Sequence, residues 1–196
     1  FPFERPMFLR EYSTGTYSVV AYFISKSVVE LPMAFAQVLL QYIIAYFLID
    51  LQGTFFWLCY AAWLLGLCAA SQALLLGCVV PDVKSVTELG PLLYVPQLLF
   101  AGFFIPVDYI PVWLRWAQYL CSLRYALSMA IADEFNPTSK SCNTSPAARV
   151  NCETVLQLND IEEDNWWIYM LLLIVIFVVF RMMAAVVLAK KASKFF

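Results

Sequence analysis

Long hydrophobic runs alternate with short polar stretches along this chain, and the runs have the length of membrane-spanning helices. Four runs are predicted to be spans, at residues 17–49, 54–80, 85–105 and 166–188. A helix needs about 20 predominantly apolar residues to cross the hydrocarbon core of a bilayer. The run at 54–80 contains no charged residue. The pattern therefore predicts an all-α integral membrane fold with four transmembrane helices.

Three stretches outside these runs have a different composition. Residues 1–16 mix charged side chains with Phe, Met and Leu, which is typical of an amphipathic surface segment or of a helix that docks a cytosolic partner. Residues 106–135 are rich in Trp, Tyr and Leu but are interrupted by Asp108 and Arg115. Irregular backbone at membrane depth needs cover from protein or a water-filled cavity, so this stretch is predicted to be re-entrant or interfacial. Residues 136–165 form a polar loop.

The third run has an unusual pattern for a simple membrane anchor. It contains two prolines, Pro91 and Pro96, and it passes Gly102 before two bulky rings, Phe103 and Phe104. A span that narrows at a pair of rings and then turns back indicates a lined path through the membrane with a constriction.

One helical face of the third run carries Glu88, Leu92, Val95 and Leu99, with Pro91 and Leu98 beside them, and it is apolar apart from Glu88. An apolar stripe at helical spacing serves helix packing as readily as it forms the wall of a binding path. Both interpretations of this face stay open from the sequence.

The composition supports a membrane protein and excludes several functions. The chain of 196 residues is 63% hydrophobic and 13% charged, whereas soluble domains are about 45–50% apolar and about 25% charged. Because the sequence has no histidine, histidine bases, histidine metal sites and histidine haem ligands are excluded. The net charge of −2 says nothing about nucleic acid, but the chain has no basic stripe, and no nucleic-acid partner is expected. No phosphate-binding glycine loop or nucleophile elbow is present.

Basic residues set the predicted orientation, because Lys and Arg are enriched in the short cytosolic flanks of spans. Arg5, Arg10 and Lys26 precede or begin the first span, Lys84 lies just before the third, and three lysines follow the last span near the C-terminus. The turn at 50–53 has no basic residue. That turn and the long polar loop are therefore predicted to lie outside.

The polar loop carries two cysteines, Cys142 and Cys152, and the acceptor sequence Asn143-Thr-Ser. Outside the cytosol the two thiols would meet oxidising conditions, so a disulfide between them is expected. Asn143 is a candidate glycosylation site.

Two charged residues near the start of the first span, Lys26 and Glu30, lie one helical turn apart. They are predicted either to form an ion pair with each other or to place Glu30 in a polar relay between helices. Arg181 lies about two turns inside the last span and is expected to snorkel or to pair.

Two blocks of sequence resemble the G subfamily of ATP-binding cassette transporters, the White family. FPFERPMFLREYSTGTYSVVAYFISKSVVELP is similar to the segment that leads into the third transmembrane helix of that family. FAGFFIPVDYIPVWLRWAQYLCSLRYALSMAIADEF is similar to its fifth helix and re-entrant segment. The resemblance covers essentially the whole chain and implies the C-terminal part of an ABC-2 type transmembrane domain from a half-transporter.

The resemblance implies a fragment of an exporter of sterols, lipids or other hydrophobic compounds. A nucleotide-binding domain with ATP and Mg²⁺, and two further helices, are expected before the chain, which lacks an initiator Met. This chain alone is therefore not expected to be an enzyme. A second half-transporter, identical or related, is the expected partner, in the plasma membrane or an endomembrane.

The resemblance also implies roles for individual residues. The wall of the substrate cavity would be formed by Pro91, Leu92, Val95 and Leu98, the hydrophobic valve by Phe103 and Phe104, the element coupled to the nucleotide-binding domain by Glu4, Arg5, Arg10 and Glu11, and the disulfide by Cys142 and Cys152.

Two other classes of function remain as alternatives. A tetraspan-type structural or scaffolding protein would share the four spans and the disulfide-bonded loop. A membrane enzyme would need catalysis by Asp, Glu or Ser, and the sequence shows no convergent set of such residues.

Overall fold

The computed structural model describes residues 7–8, 10–11, 18–49, 51, 53–80, 82–101, 116–135, 142, 150–152, 154–156 and 166–192. All regular structure in this part of the chain is helical, which confirms the all-α prediction. The elements are α1 (Val19–Ile49), α2 (Phe55–Val79), α3 (Val83–Phe100), α4 (Trp116–Tyr119), α5 (Ser122–Glu134) and α6 (Trp166–Ala192).

Three of the described helices are long and apolar enough to cross a membrane: α1, α2 and residues Trp166–Lys191 of α6. The chain is thus an integral, multi-pass membrane protein. The third predicted span, 85–105, corresponds to α3, which has 18 residues and ends at Phe100. At about 1.5 Å per residue α3 measures about 27 Å, and Lys84 and Glu88 lie in its first two turns. A span by α3 therefore stays a prediction.

The longest helix, α1, contains 31 residues and continues through Pro32. At about 1.5 Å per residue its length is about 46 Å, which exceeds the roughly 30 Å hydrocarbon core. It packs on α2 through Trp63, whose ring meets Phe35 at 5.7 Å between centroids. The indole nitrogen of Trp63 donates a hydrogen bond to the Leu31 carbonyl at 3.3 Å.

Two hydrophobic cores lie along α2, which makes its most extensive contacts with α6. The first core joins α2, α5 and α6, and it consists of Ala61, Leu64, Cys68, Tyr125, Ala126, Met129, Leu173 and Ile176. The second core joins α1, α2, α6 and Phe8 of the N-terminal segment. It consists of Phe8, Val19, Phe23, Leu74, Cys78, Ala184 and Leu188. Burial of these side chains stabilises the helical body, since dispersion contacts hold helices together where lipid replaces water.

The shorter helix α5 lies beside the first half of α2 and α6. Its buried residues Tyr125, Ala126 and Met129 belong to the first core. Its last turn reaches the start of α2, where Thr54 is the N-cap residue. The chain therefore returns along α2 toward the predicted outer end before it enters the polar loop.

The other end of α2 is held by a lysine from α6. Lys191 Nζ donates hydrogen bonds to the carbonyl oxygens of Cys78 at 2.9 Å and Val79 at 2.6 Å. These carbonyls lack partners within their own helix, and a cation at a helix C-terminus is favoured by the helix dipole. Lys191 thus caps α2 and fixes it to α6.

In the polar loop, Cys142 and Cys152 form a disulfide with their Cα atoms 6.0 Å apart. The other four cysteines, Cys59, Cys68, Cys78 and Cys121, are buried. Several predicted site residues lie outside the described residues, namely Glu4, Arg5, Phe103, Phe104 and Asn143.

Candidate functional site

A buried arginine joins three helices in the interior of the helical body. Arg181 on α6 forms an ion pair with Glu30 on α1 through its Nη2 atom. Its Nε atom donates a hydrogen bond to Ser71 Oγ on α2 at 3.2 Å. The guanidinium carbon lies 5.4 Å from the centroid of the Phe177 ring, which is a cation–π distance. We call Arg181, Glu30 and Ser71 the arginine node.

The arginine node is asymmetric in its exposure to the surroundings. The side chain of Arg181 is 9% exposed, whereas that of Glu30 is 33% exposed. The third nitrogen, Nη1, is buried and has no hydrogen-bond partner in the described part of the chain. A buried charge is costly unless it is paired and hydrogen-bonded, so Glu30 supplies the compensation that Arg181 needs.

The sequence predicted either a Lys26–Glu30 pair or a relay through Glu30. The ion pair found for Glu30 is with Arg181, and the amino group of Lys26 lies 5.9 Å from the centroid of the Tyr22 ring. The connection from α1 to α6 requires the tertiary fold, because the two partners are far apart in sequence.

Among the described residues of the N-terminal segment, Phe8 is buried against the helices. Phe8 is 1% exposed and lies in the second core, 4.7 Å from the Tyr22 ring. Arg10 and Glu11, two of the predicted coupling residues, are helical and exposed. Beside them a cavity of about 550 Å³ is lined by Met7, Phe8, Glu11, Tyr22, Ser25, Lys26, Val29 and Glu30. The segment therefore presents charged groups next to the first span while Phe8 holds it in place.

The helix α3 has no fully buried residue. The four predicted cavity residues are all exposed: Leu92 is 70% exposed, Val95 51% and Leu98 45%, and Pro91 is also in the exposed class. In a membrane protein, large apolar side chains on an open face are covered by lipid, by a partner chain or by a bound ligand. The structure thus brings these residues onto one uncovered side of α3.

The opposite side of α3 is attached by a few polar contacts. Tyr94 donates a hydrogen bond to the Ala69 carbonyl at 3.0 Å. Gln97 Nε2 donates to Gln72 Oε1 at 2.9 Å, and the Gln97 carbonyl accepts a hydrogen bond from Cys121 Sγ at 3.1 Å. The attachment of α3 therefore depends on polar groups more than on an apolar core.

Metal binding requires a set of ligating side chains that lie close together. No group of three or more Cys, Asp or Glu residues in this part of the chain could hold a metal ion.

Two features of the structure were missed from the sequence. Arg181 was expected to snorkel or pair, but its partner Glu30 was not identified. The contact of Asp133 and Glu134 with the turn before α2 was not anticipated either. For the Arg181–Glu30 pair, the available signal in the sequence was that each of two predicted spans contains an ionisable residue.

Comparison with known proteins identifies the family of this chain. Residues 1–135 match the ABC-2 type transporter family. The chain is 32% identical over 151 residues to Protein white of Drosophila melanogaster, covering 74% of this chain and 22% of that protein. It is 30% identical over 170 residues to ABC transporter G family member 23 of Arabidopsis thaliana, covering 82% and 27%. With ABC transporter G family member 38 of Oryza sativa subsp. japonica the identity is 31% over 135 residues, covering 67% and 9%.

This chain therefore spans between about a tenth and a quarter of the length of these curated relatives. The family match covers more than half of the chain and includes α1, α2, α3 and α5. The chain belongs to the ABC-2 type transporter family, and its relatives are G-family ABC transporters.

Proposed function

We propose that this chain is part of the membrane domain of an ATP-driven exporter, in which the open face of α3 forms one wall of the substrate path. The observation that carries the proposal is the exposed apolar face at Leu92, Val95 and Leu98, in a chain of the ABC-2 transporter family. The apolar surface at Leu92, Val95 and Leu98 suits sterols, lipids or other hydrophobic compounds, with Glu88 one helical turn from Leu92 on the same face.

The wall needs a second half to enclose a path. We propose that an identical or related chain faces Val95 across a two-fold axis, which is the commonest symmetry of protein dimers. ATP and Mg²⁺ would bind to a nucleotide-binding domain in another part of the full-length protein. Family membership favours this exporter over the tetraspan scaffold.

Cysteine cross-linking in the full-length protein tests the path. Val95→Cys should form an intersubunit disulfide, and transported substrate should slow its formation. Val179→Cys on α6 is a matched control, because Val179 is 47% exposed and Val95 is 51% exposed. Equal cross-linking of both variants would refute the assignment of α3 to the dimer axis.

Coupling to ATP hydrolysis is assigned to the N-terminal segment. Arg10 and Glu11 are exposed beside the start of α1, and Glu4 and Arg5 are proposed to extend the same surface. Arg10→Glu should lower transport per ATP hydrolysed while expression stays near normal, because the anchor Phe8 is unchanged. An unchanged ratio of transport to hydrolysis would remove the coupling role.

The arginine node is proposed to transmit movement between the coupling segment and α6. Glu30 borders the cavity beside Phe8 and also pairs with Arg181. Lys26 lines the same cavity. A movement of the coupling segment would therefore reach α1, α2 and α6 through one ion pair.

A further inference from the structure

Two neighbouring carboxylates hold the turn between α1 and α2. Glu134 Oε2 accepts a hydrogen bond from the backbone N–H of Gly53 at 2.8 Å. Asp133 Oδ2 accepts one from the backbone N–H of Thr54 at 2.6 Å. The Gly53 carbonyl in turn accepts a hydrogen bond from the Tyr46 hydroxyl at 3.1 Å. We call Asp133, Glu134 and these two backbone groups the carboxylate clamp.

The clamp does the work of a helix cap from another part of the chain. Thr54 is the N-cap residue of α2, and its own side chain makes no capping hydrogen bond. The first N–H groups of a helix lack partners within the helix, and negative charge is favoured there. The end of α5 thus supplies both acceptors and charge at the start of α2.

A side chain at position 53 would displace the two carboxylates of the clamp. A Cβ atom at this position would lie 2.8 Å from Asp133 Oδ2, 2.9 Å from Glu134 Oε2 and 3.2 Å from Leu58 Cδ1. The first two distances are shorter than real Cβ contacts. Glycine at 53 is therefore what allows both carboxylates to approach the turn.

The clamp joins elements that already pack together. Between its ends α5 is buried against α2 and α6 in the first core. Its start touches α3 through the hydrogen bond from Cys121 to the Gln97 carbonyl. By contrast α3 has no buried residue, and each of Pro91 and Pro96 removes one backbone hydrogen bond from it.

From this contrast we infer that Asp133 and Glu134 are positioning residues. They hold α5 and the α1–α2 turn together as one rigid unit at the predicted outer end, which we call the outer rim. The helix α3 moves against this outer rim during transport. The inference rests on the proposed export function. The clamp stays closed throughout the cycle, and the joint that changes lies between α3 and α5.

Opening the clamp should loosen the rim in a measurable way. In the full-length protein, Gly53→Ala should speed amide hydrogen exchange at Thr54 about tenfold, which corresponds to loss of one charge-assisted hydrogen bond. Transport per ATP hydrolysed should fall by a similar factor, with little change in the apparent affinity for substrate. Gly66→Ala is the matched control, since its added Cβ would make only an ordinary contact, 3.9 Å from Val38. If exchange at Thr54 is the same in both variants, the clamp is refuted.

A reversible cross-link separates a rigid rim from a gate and from a folding requirement. Thr54→Cys/Asp133→Cys replaces one clamp hydrogen bond by a pair of thiols that can be oxidised. The rigid rim predicts low transport in the reduced form and recovery on oxidation. Loss of transport on oxidation would show a gate that must open, and no dependence on oxidation would show a purely structural contact. Either result overturns the inference.

The outcome also separates the rim from the proposed function. If the unmodified full-length protein exports nothing in the same vesicles, the proposed function fails. The exchange measurement at Thr54 needs no transport, so it still supports or refutes the clamp in that case.

Discussion

Removing one partner of the Arg181–Glu30 ion pair should have unequal effects, depending on which charge remains. Glu30→Gln leaves a cation whose side chain is 9% exposed, whereas Arg181→Met leaves an anion whose side chain is 33% exposed. The remaining guanidinium keeps Ser71 and the Phe177 ring as contacts, and the amide oxygen that Glu30→Gln introduces can accept a hydrogen bond but carries no balancing charge. The remaining carboxylate is partly accessible to water or lipid headgroups.

The magnitudes follow from the burial of the remaining charge. Breaking a buried ion pair by removing one partner costs about 3–5 kcal/mol, and we expect about 3 kcal/mol for Glu30→Gln. Because Glu30 is partly exposed, we expect only about 1 kcal/mol for Arg181→Met. In the double variant no charge remains unpaired, so its cost should stay near about 1 kcal/mol. Ser71→Ala removes one neutral partner and should also cost about 1 kcal/mol.

The assay is unfolding of the full-length protein in lipid nanodiscs, with substrate-stimulated ATP hydrolysis measured on the same samples. Glu30→Gln should be the least stable variant, and adding Arg181→Met to it should restore most of the lost stability. A relay role adds a second expectation, because the double variant should recover stability without recovering transport. Additive losses in the two single variants would show that the ion pair contributes no coupling.

Three further predictions concern other contacts. Lys191→Met should destabilise the protein by about 1 kcal/mol, because the carbonyl groups at the end of α2 lose their cation; unchanged thermal unfolding would contradict the cap. Phe103→Ala and Phe104→Ala should leave a folded protein with altered ATPase stimulation and broader substrate choice, and destabilisation in proportion to lost activity would instead indicate core packing. Burial, more than repulsion by Glu134, raises the pKa of Asp133 above its ordinary value of 3.8. Its contribution to stability therefore falls as the pH rises from 3.8 through the raised pKa, and Asp133→Asn should remove that part of the pH profile of thermal unfolding.

The membrane fold follows from the sequence because a bilayer imposes a simple rule on composition. Apolar runs of sufficient length must be helical there, since every backbone polar group needs a partner within its own segment. The runs that became α1, α2 and α6 could be identified for this reason. The transporter family was also recognisable from the sequence. The two blocks that carry the resemblance both lie within residues 1–135, the part of the chain that matches the ABC-2 type transporter family.

The exposure of the apolar face of α3 could not be derived from the sequence. Its apolar stripe could have been core or cavity wall, since hydrophobic periodicity gives the direction of a face without saying what covers it. Only the packing of the other helices shows that Leu92 and Val95 lie on the uncovered side. The predicted span at 85–105 stays a prediction for a related reason, because Lys84 and Glu88 lie within α3, which ends at Phe100.

The polar contacts were decided by tertiary structure alone. Glu30 has Lys26 one turn away in its own helix, yet its ion pair is with Arg181, because packing of α1 and α6 buries the guanidinium beside it. Asp133 and Glu134 look like ordinary acidic residues in an interfacial segment, and their role at Thr54 depends on where α5 ends relative to α2. Sequence determined which segments can enter the membrane, through the length and hydrophobicity of each run. Tertiary structure decided which polar groups meet, because such meetings depend on the relative depth and rotation of helices that are distant in the chain.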